Sequence, residues 1–152
     1  MKNAFILLTI LVLAACSNDD DNNSVDFVAQ NEEEIQAYIA SNNLTAQSSG
    51  SGLYYVIDSI GIGAQPKSTD NVTVAYKGYY TSGNVFDESD TSGISFYLQQ
   101  VIKGWQEGIP YFHEGGSGTL LIPAHLGYGN TTRSGIPGGS VLLFDVHLIS
   151  IN

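Results

Sequence analysis

The residues of this chain best suited to chemistry are aromatic. Tyr76, Phe86, Phe96, Trp105, Tyr128 and Phe144 recur between residues 76 and 144, and a carboxylate, Asp87, stands next to Phe86. Trp105 is the single tryptophan and closes the run Val101-Ile102-Lys103-Gly104-Trp105. The glycine before it lets the backbone turn tightly, and a fully buried indole needs a partner for its N–H. That pairing reads as the floor of a pocket. Ile94, Val101, Ile102 and Ile136 join the rings as candidate walls. Taken singly, each aromatic serves equally well as core and Asp87 as a turn acid. Taken together they describe an apolar enclosure with few polar groups. His113, His125 and His147 are scattered without ligand spacing, so neither a metal site nor a cofactor is expected.

The scaffold that holds these residues is bounded by composition. A chain of 152 residues is one domain with an appended arm. Its 17 glycines imply many turns and a β-rich domain. A net charge of −10 with 5 basic residues excludes a nucleic-acid partner, since no Lys/Arg footprint is available to displace counterions from phosphates. Lys2 followed by the apolar run Ala4 to Leu13 reads as a secretory signal over residues 1–15, too short to span a bilayer core of roughly 30 Å. Leu13-Ala14-Ala15-Cys16 resembles the bacterial lipobox, which implies a lipid on Cys16 and attachment to a membrane through it. Cys16 is the only cysteine, so no intramolecular disulfide can form. Ser17 resembles the residue found there in lipoproteins passed on to the outer membrane. Asn18-Asp19-Asp20-Asp21 resembles the acidic export signals of surface lipoproteins and reads equally as a solvated spacer. Residues 16–30 are expected to be a flexible acidic linker.

Asn31 followed by Glu32-Glu33-Glu34 reads as a helix start, with Asn31 as N-cap and the acids near the positive end of the dipole. Ile35, Tyr38 and Ile39 share one face of this short helix, which ends near Asn42-Asn43. From Leu53 the pattern changes to strands. They are expected at Leu53 to Ile57, around Val72, Val74 and Tyr76, at Val85-Phe86, at Ser95 to Leu98, from Gly115-Gly116 to Ile122 and from Val141 to Ile149. Lys103 to about Tyr111 can form two helical turns, although Gly104, Gly108 and Pro110 make it a poor helix by propensity. Gly127 to Gly139 is a glycine-rich loop. With no internal repeat and no βαβ alternation, the expected fold is α+β. It is an antiparallel half-barrel sheet of about five to six strands wrapped around one short helix, with a short N-terminal helix.

Six segments in order carry a family resemblance. Val74-Ala75-Tyr76-Lys77-Gly78, Val85-Phe86-Asp87-Glu88-Ser89, Val101-Ile102-Lys103-Gly104-Trp105, Ile122-Pro123 to Tyr128-Gly129, Gly135-Ile136-Pro137 and Leu143-Phe144-Asp145-Val146 resemble the successive signatures of the FKBP-type peptidyl-prolyl cis-trans isomerases. The resemblance covers Leu53 to Asn152, the expected core of a domain over residues 31–152. It implies Trp105 under a substrate proline ring, with Tyr76, Phe86, Val101, Ile102 and Phe144 as apolar walls. It places Tyr128 and Ile136 on a flap, Tyr128 offering its hydroxyl to one substrate carbonyl and Ile102 its backbone N–H to another. Asp87 is then an acceptor for Tyr76.

The implied activity is isomerisation of Xaa–Pro bonds in envelope or exported proteins. The implied partners are proline-containing polypeptide clients and macrolides such as tacrolimus or rapamycin, bound by a monomer. A module of the same fold that holds proline-containing segments without turnover is the alternative. The sequence departs from the family pattern in places. Ile94 stands where a second aromatic is common, no arginine in Ser89 to Gly93 is available to pair with Asp87, and the flap from Gly129 to Pro137 is short, with Arg133 in place of the common histidine region. No chaperone domain is inserted at the flap and no His-rich tail follows.

Overall fold

The structure, a computed structural model, describes residues 26–152. The leader over residues 1–15, Cys16 and the linker up to residue 25 lie outside the described residues. The first helix, α1 (Phe27–Ser41), begins earlier than Asn31 and takes in the end of the expected linker. Its N-cap is Asp26, whose Oδ1 accepts hydrogen bonds from the Val28 and Ala29 N–H groups at 3.1 and 3.3 Å. The local Asn-Glu-Glu-Glu signal was therefore misplaced. Asn31 lies inside the helix, and two of the three acids, Glu32 and Glu34, make side-chain contacts rather than caps, while Glu33 is exposed. Glu32 accepts from the Tyr54 hydroxyl at 2.7 Å and Glu34 from Thr81 at 2.5 Å.

Seven antiparallel strands form one sheet: β1 (Gln47–Ser48), β2 (Tyr54–Ser59), β3 (Asn71–Tyr79), β4 (Val85–Glu88), β5 (Ile94–Tyr97), β6 (Ser117–Ile122) and β7 (Leu142–Ile151). Their order is β1-β2-β6-β7-β3-β4, with β5 also paired to β3. The count exceeds the expected five to six through β1, whose two residues are too few to leave a period-2 signal.

Alternation along β6 and β7 divides the core in two. Leu120, Ile122, Leu142, Phe144, Val146 and Leu148 enter the larger cluster, which holds Trp105, Ile109 and Phe112. Leu121 and Leu143 point to the other face, where Ile35, with Tyr38 and Ile39 beside it, covers them with α1. Burying one such aliphatic side chain contributes about 1.5–3 kcal/mol, and most of the stability of α1 comes from this stripe.

The second helix, α2 (Lys103–Gly108), lies against β6 on the larger-cluster side and continues into a 3₁₀ turn, Ile109–Tyr111. Its glycines explain why a poor helix former is helical here. A Cβ at Gly104 would stand 2.5 Å from the Ile122 side chain, and one at Gly108 would stand 2.7 Å from Leu120. The two glycines, one turn apart, let the helix backbone settle onto the strand, and packing overrides propensity.

Candidate functional site

Trp105 sits in the first turn of α2, its N–H bonded to the Ile102 carbonyl at 2.9 Å, and is 5% exposed. Three rings enclose it. Tyr76 from β3 and Phe144 from β7 stand perpendicular to it, with centroids 5.1 and 5.2 Å away at 85° and 86°. Phe96 from β5 lies at 5.3 Å and 54°. These are favoured aromatic geometries. The expected hydrogen-bond partner for the indole is missing: among the described residues, Trp105 Nε1 is a buried side-chain nitrogen without one.

Above Trp105 opens a cavity of about 310 Å³. Tyr76, Phe96, Trp105 and Phe144 line it, together with Ile94, Val101 and Ile102. Asp87, Tyr128 and Gln100 complete the lining. Nine of the eleven residues singled out in the sequence therefore meet at one hollow. Phe86 and Ile136 do not line it. They border an adjoining hollow of about 370 Å³ that shares Asp87 and Tyr128. Phe86 stacks edge-on behind Phe144, at 5.5 Å and 87°, and against Tyr80 at 5.0 Å. Gln100 was not anticipated. It ends the 3₁₀ turn Leu98–Gln100 that connects β5 to Val101, and its only sequence signal is that place just before Val101-Ile102.

Each wall has a local cause. Pairing of β3 with β4 sets Gly78 opposite Asp87, and pairing with β7 sets Gly78 opposite Phe144. A Cβ at Gly78 would meet Phe144 Cε1 and Phe86 Cε2 at 2.8 Å, so this glycine makes the space into which both rings fold. The Tyr76 hydroxyl donates to Asp87 Oδ2 at 2.7 Å, a charge-assisted bond. Burial first, and then the bond to Asp87, push the Tyr76 hydroxyl well above its usual value of 10. The Tyr128 hydroxyl is likewise raised, by burial and then by the charge of Asp87. Both phenols thus stay protonated at neutral pH, the Tyr76 proton being held by Asp87.

Ile102 precedes α2 as its N-cap. Its carbonyl accepts from Trp105 and Gln106, while its own N–H makes no backbone hydrogen bond among the described residues. No group of three or more His, Cys, Asp or Glu residues among the described residues is arranged to hold a metal. No helix among them is long and apolar enough to cross a membrane.

An antiparallel sheet packed against a short helix, with a buried tryptophan under an aromatic hollow, defines a pocket of mostly apolar lining with a few hydrogen-bonding groups at its edge. The sequence model of the FKBP-type peptidyl-prolyl cis-trans isomerases matches residues 63–149. The chain belongs to that family. It is 44% identical over 104 residues to a protein named FKBP-type peptidyl-prolyl cis-trans isomerase FkpA from Buchnera aphidicola subsp. Schizaphis graminum, covering 66% of this chain and 41% of that one. It is 43% identical over 107 residues to the FkpA of Escherichia coli K12, covering 69% and 40%. The crystal structure of FkpA from Escherichia coli superposes with a TM-score of 0.74 at 37% identity, over 82% of this chain and 61% of that one. The crystal structure of AtFKBP13 gives 0.65 at 32% identity, over 70% and 98%. The chain thus spans less than half the length of these two FkpA relatives.

Proposed function

We propose that this chain is a peptidyl-prolyl cis-trans isomerase acting on proline-containing segments of envelope or exported proteins. The observation that carries the reading is the hollow over Trp105, walled by Tyr76, Phe96 and Phe144 and edged by the Tyr76–Asp87 hydrogen bond. Rotation about an Xaa–Pro bond passes through a twisted amide without resonance, and the uncatalysed barrier is about 18–20 kcal/mol. The planar amide is the more polar form, so a dry aromatic pocket stabilises the twisted form relative to it. Binding that differs in this sense is catalysis.

In this reading the proline ring rests on Trp105. The Ile102 N–H and the Tyr128 hydroxyl hold carbonyls on either side of the rotating bond, and Asp87 fixes Tyr76 at the rim. Phe86 supports Phe144 from behind, and Ile136 carries the neighbouring lip. Slow prolyl isomerisation, tens to hundreds of seconds unassisted, limits the folding of exported chains and supplies a use for the activity. The leader over residues 1–15, the Leu13-Ala14-Ala15-Cys16 sequence and the residues that follow support lipid anchoring at Cys16 in the outer membrane, with residues up to about 25 as tether.

The test is isomerisation of an Xaa–Pro peptide by the full chain, with and without rapamycin. Acceleration suppressed by the macrolide is expected. A folded chain that binds the peptide without accelerating it would instead be a proline-segment holder.

A further inference from the structure

Asn31 is 1% exposed and is the buried polar residue of the described chain. Both atoms of its amide bond to residues distant in sequence. Oδ1 accepts the Ala124 N–H at 2.8 Å, and Nδ2 donates to the Gly139 carbonyl at 2.8 Å. Ala124 and Gly139 are the two feet of the loop that carries Tyr128 and Ile136. The feet are also joined through Gly129, whose N–H donates to the Ala124 carbonyl at 2.8 Å and whose carbonyl accepts the Gly139 N–H at 3.0 Å. The four bonds close a ring through Asn31, Ala124, Gly129 and Gly139, and Tyr128 is the chain neighbour of one member. Gly129 and Gly139 have φ of +84° and +78°, and a Cβ on Gly139 would overlap the Phe27 ring of α1.

The residue type follows from the ring. An amide offers one acceptor and one donor from a single planar group, and no carboxylate or aliphatic side chain satisfies both loop groups. Asparagine is also a poor residue for a helix interior, so its place inside α1 runs against local propensity, as expected where another demand prevails. We infer that Asn31 is a positioning residue for the pocket, through which α1 sets the loop and hence the Tyr128 hydroxyl relative to the Trp105 floor. The inference rests on the reading that Tyr128 serves isomerisation.

The experiment compares the full chain with Asn31→Ala, Asn31→Asp, which keeps the acceptor and loses the donor, and Ile35→Ala. The last is a packing control on the same helix that loses contacts to Leu121, Val141 and Leu143 without touching the ring. Turnover of an Xaa–Pro peptide and NMR-detected exchange of the Gly129, Gly139 and Leu120 amides are read at a temperature where all are folded. Both Asn31 variants are expected to lower kcat/KM about tenfold, equivalent to about 1.4 kcal/mol. They should speed exchange at Gly129 and Gly139 about tenfold or more while Leu120 stays protected. Ile35→Ala should leave turnover and the two glycine amides at wild-type values. Asn31→Ala that melts early, as Ile35→Ala does, but keeps its turnover overturns the positioning role. An inactive wild type sinks the isomerase reading, whereas unchanged exchange at Gly129 and Gly139 in Asn31→Ala sinks the ring itself whatever the activity.

Discussion

Gly78→Ala adds one methyl group behind the pocket, outside any contact with substrate. Its Cβ would lie 2.8 Å from both Phe144 Cε1 and Phe86 Cε2, well inside the 3.4–4 Å of ordinary van der Waals contact. Each ring must therefore withdraw from the new methyl group by about 0.6 Å or more. Phe86 has Tyr80 at 5.0 Å on its far side, and Phe144 has Trp105 at 5.2 Å. Neither can move without displacing another ring, so part of the shift reaches the pocket floor. Overpacking of this kind costs about 1–3 kcal/mol, or a melting temperature lower by roughly 2–12 °C for a chain of this size.

The larger effect falls on turnover, because a misplacement of about 1 Å in a reacting geometry can cost 10²-fold. A fall in kcat/KM of roughly 10- to 100-fold on an Xaa–Pro peptide is expected, well below the melting transition. Trp105 is the only tryptophan, so its emission reports the floor directly and should shift in the folded variant. A Gly78→Ala chain with lowered stability but unchanged emission and turnover would refute the claim that Phe86 and Phe144 transmit backbone space into pocket shape.

Two further expectations concern charge and pH. Asp87→Asn keeps the shape of the rim but removes the charge that the Tyr76 hydroxyl bonds; kcat/KM should drop several-fold while the melting temperature barely moves, since Asp87 is exposed, and equal turnover would remove Asp87 from the working site. Tyr79 is pushed far above its usual value of 10, by burial first and then by its bond to Asp145 at 2.9 Å. Its contribution to stability is therefore full below about pH 10 and lost as pH rises through the folded value. Urea titrations between pH 8 and pH 11 should show a decline that Tyr79→Phe flattens, and an identical decline in both chains would assign alkaline sensitivity elsewhere.

What was legible in the sequence is what repeats or what chemistry marks. The alternation Leu142, Phe144, Val146, Leu148 marked β7 and its inward face, and the aromatic set with Asp87, joined by Ile94, Val101 and Ile102, marked nine of the lining residues of the hollow. Asn31 was misread because the stretch Asn-Glu-Glu-Glu carries a strong local cap signal. Its actual partners are 93 and 108 residues away, and a side-chain bond to a distant backbone leaves no local periodicity. Asp26 was hidden for the complementary reason: an acid at the end of an acidic stretch looks like spacer. Phe86 and Ile136 stand in the same apolar set as the residues that line the larger aromatic hollow, and only the three-dimensional course of β4 and the loop puts them at the adjoining one. Burial of Trp105 was read correctly, whereas the partner for its indole was assumed from a general rule that the surrounding rings do not satisfy.

The glycines that let α2 lie on β6 carry a consequence for timing. A six-residue segment with two glycines has almost no helical tendency of its own, so the floor of the pocket takes shape only when Ile122 and Leu120 are in place to receive it. Those residues belong to β6, which is bordered by β7, and β7 also supplies Phe144 and bridges β6 to β3. Central in the sheet and latest of the strands to leave the ribosome, β7 makes the cavity a late product of synthesis. A nascent chain halted before residue 142 would hold most of the aromatic residues and no hollow for them to line.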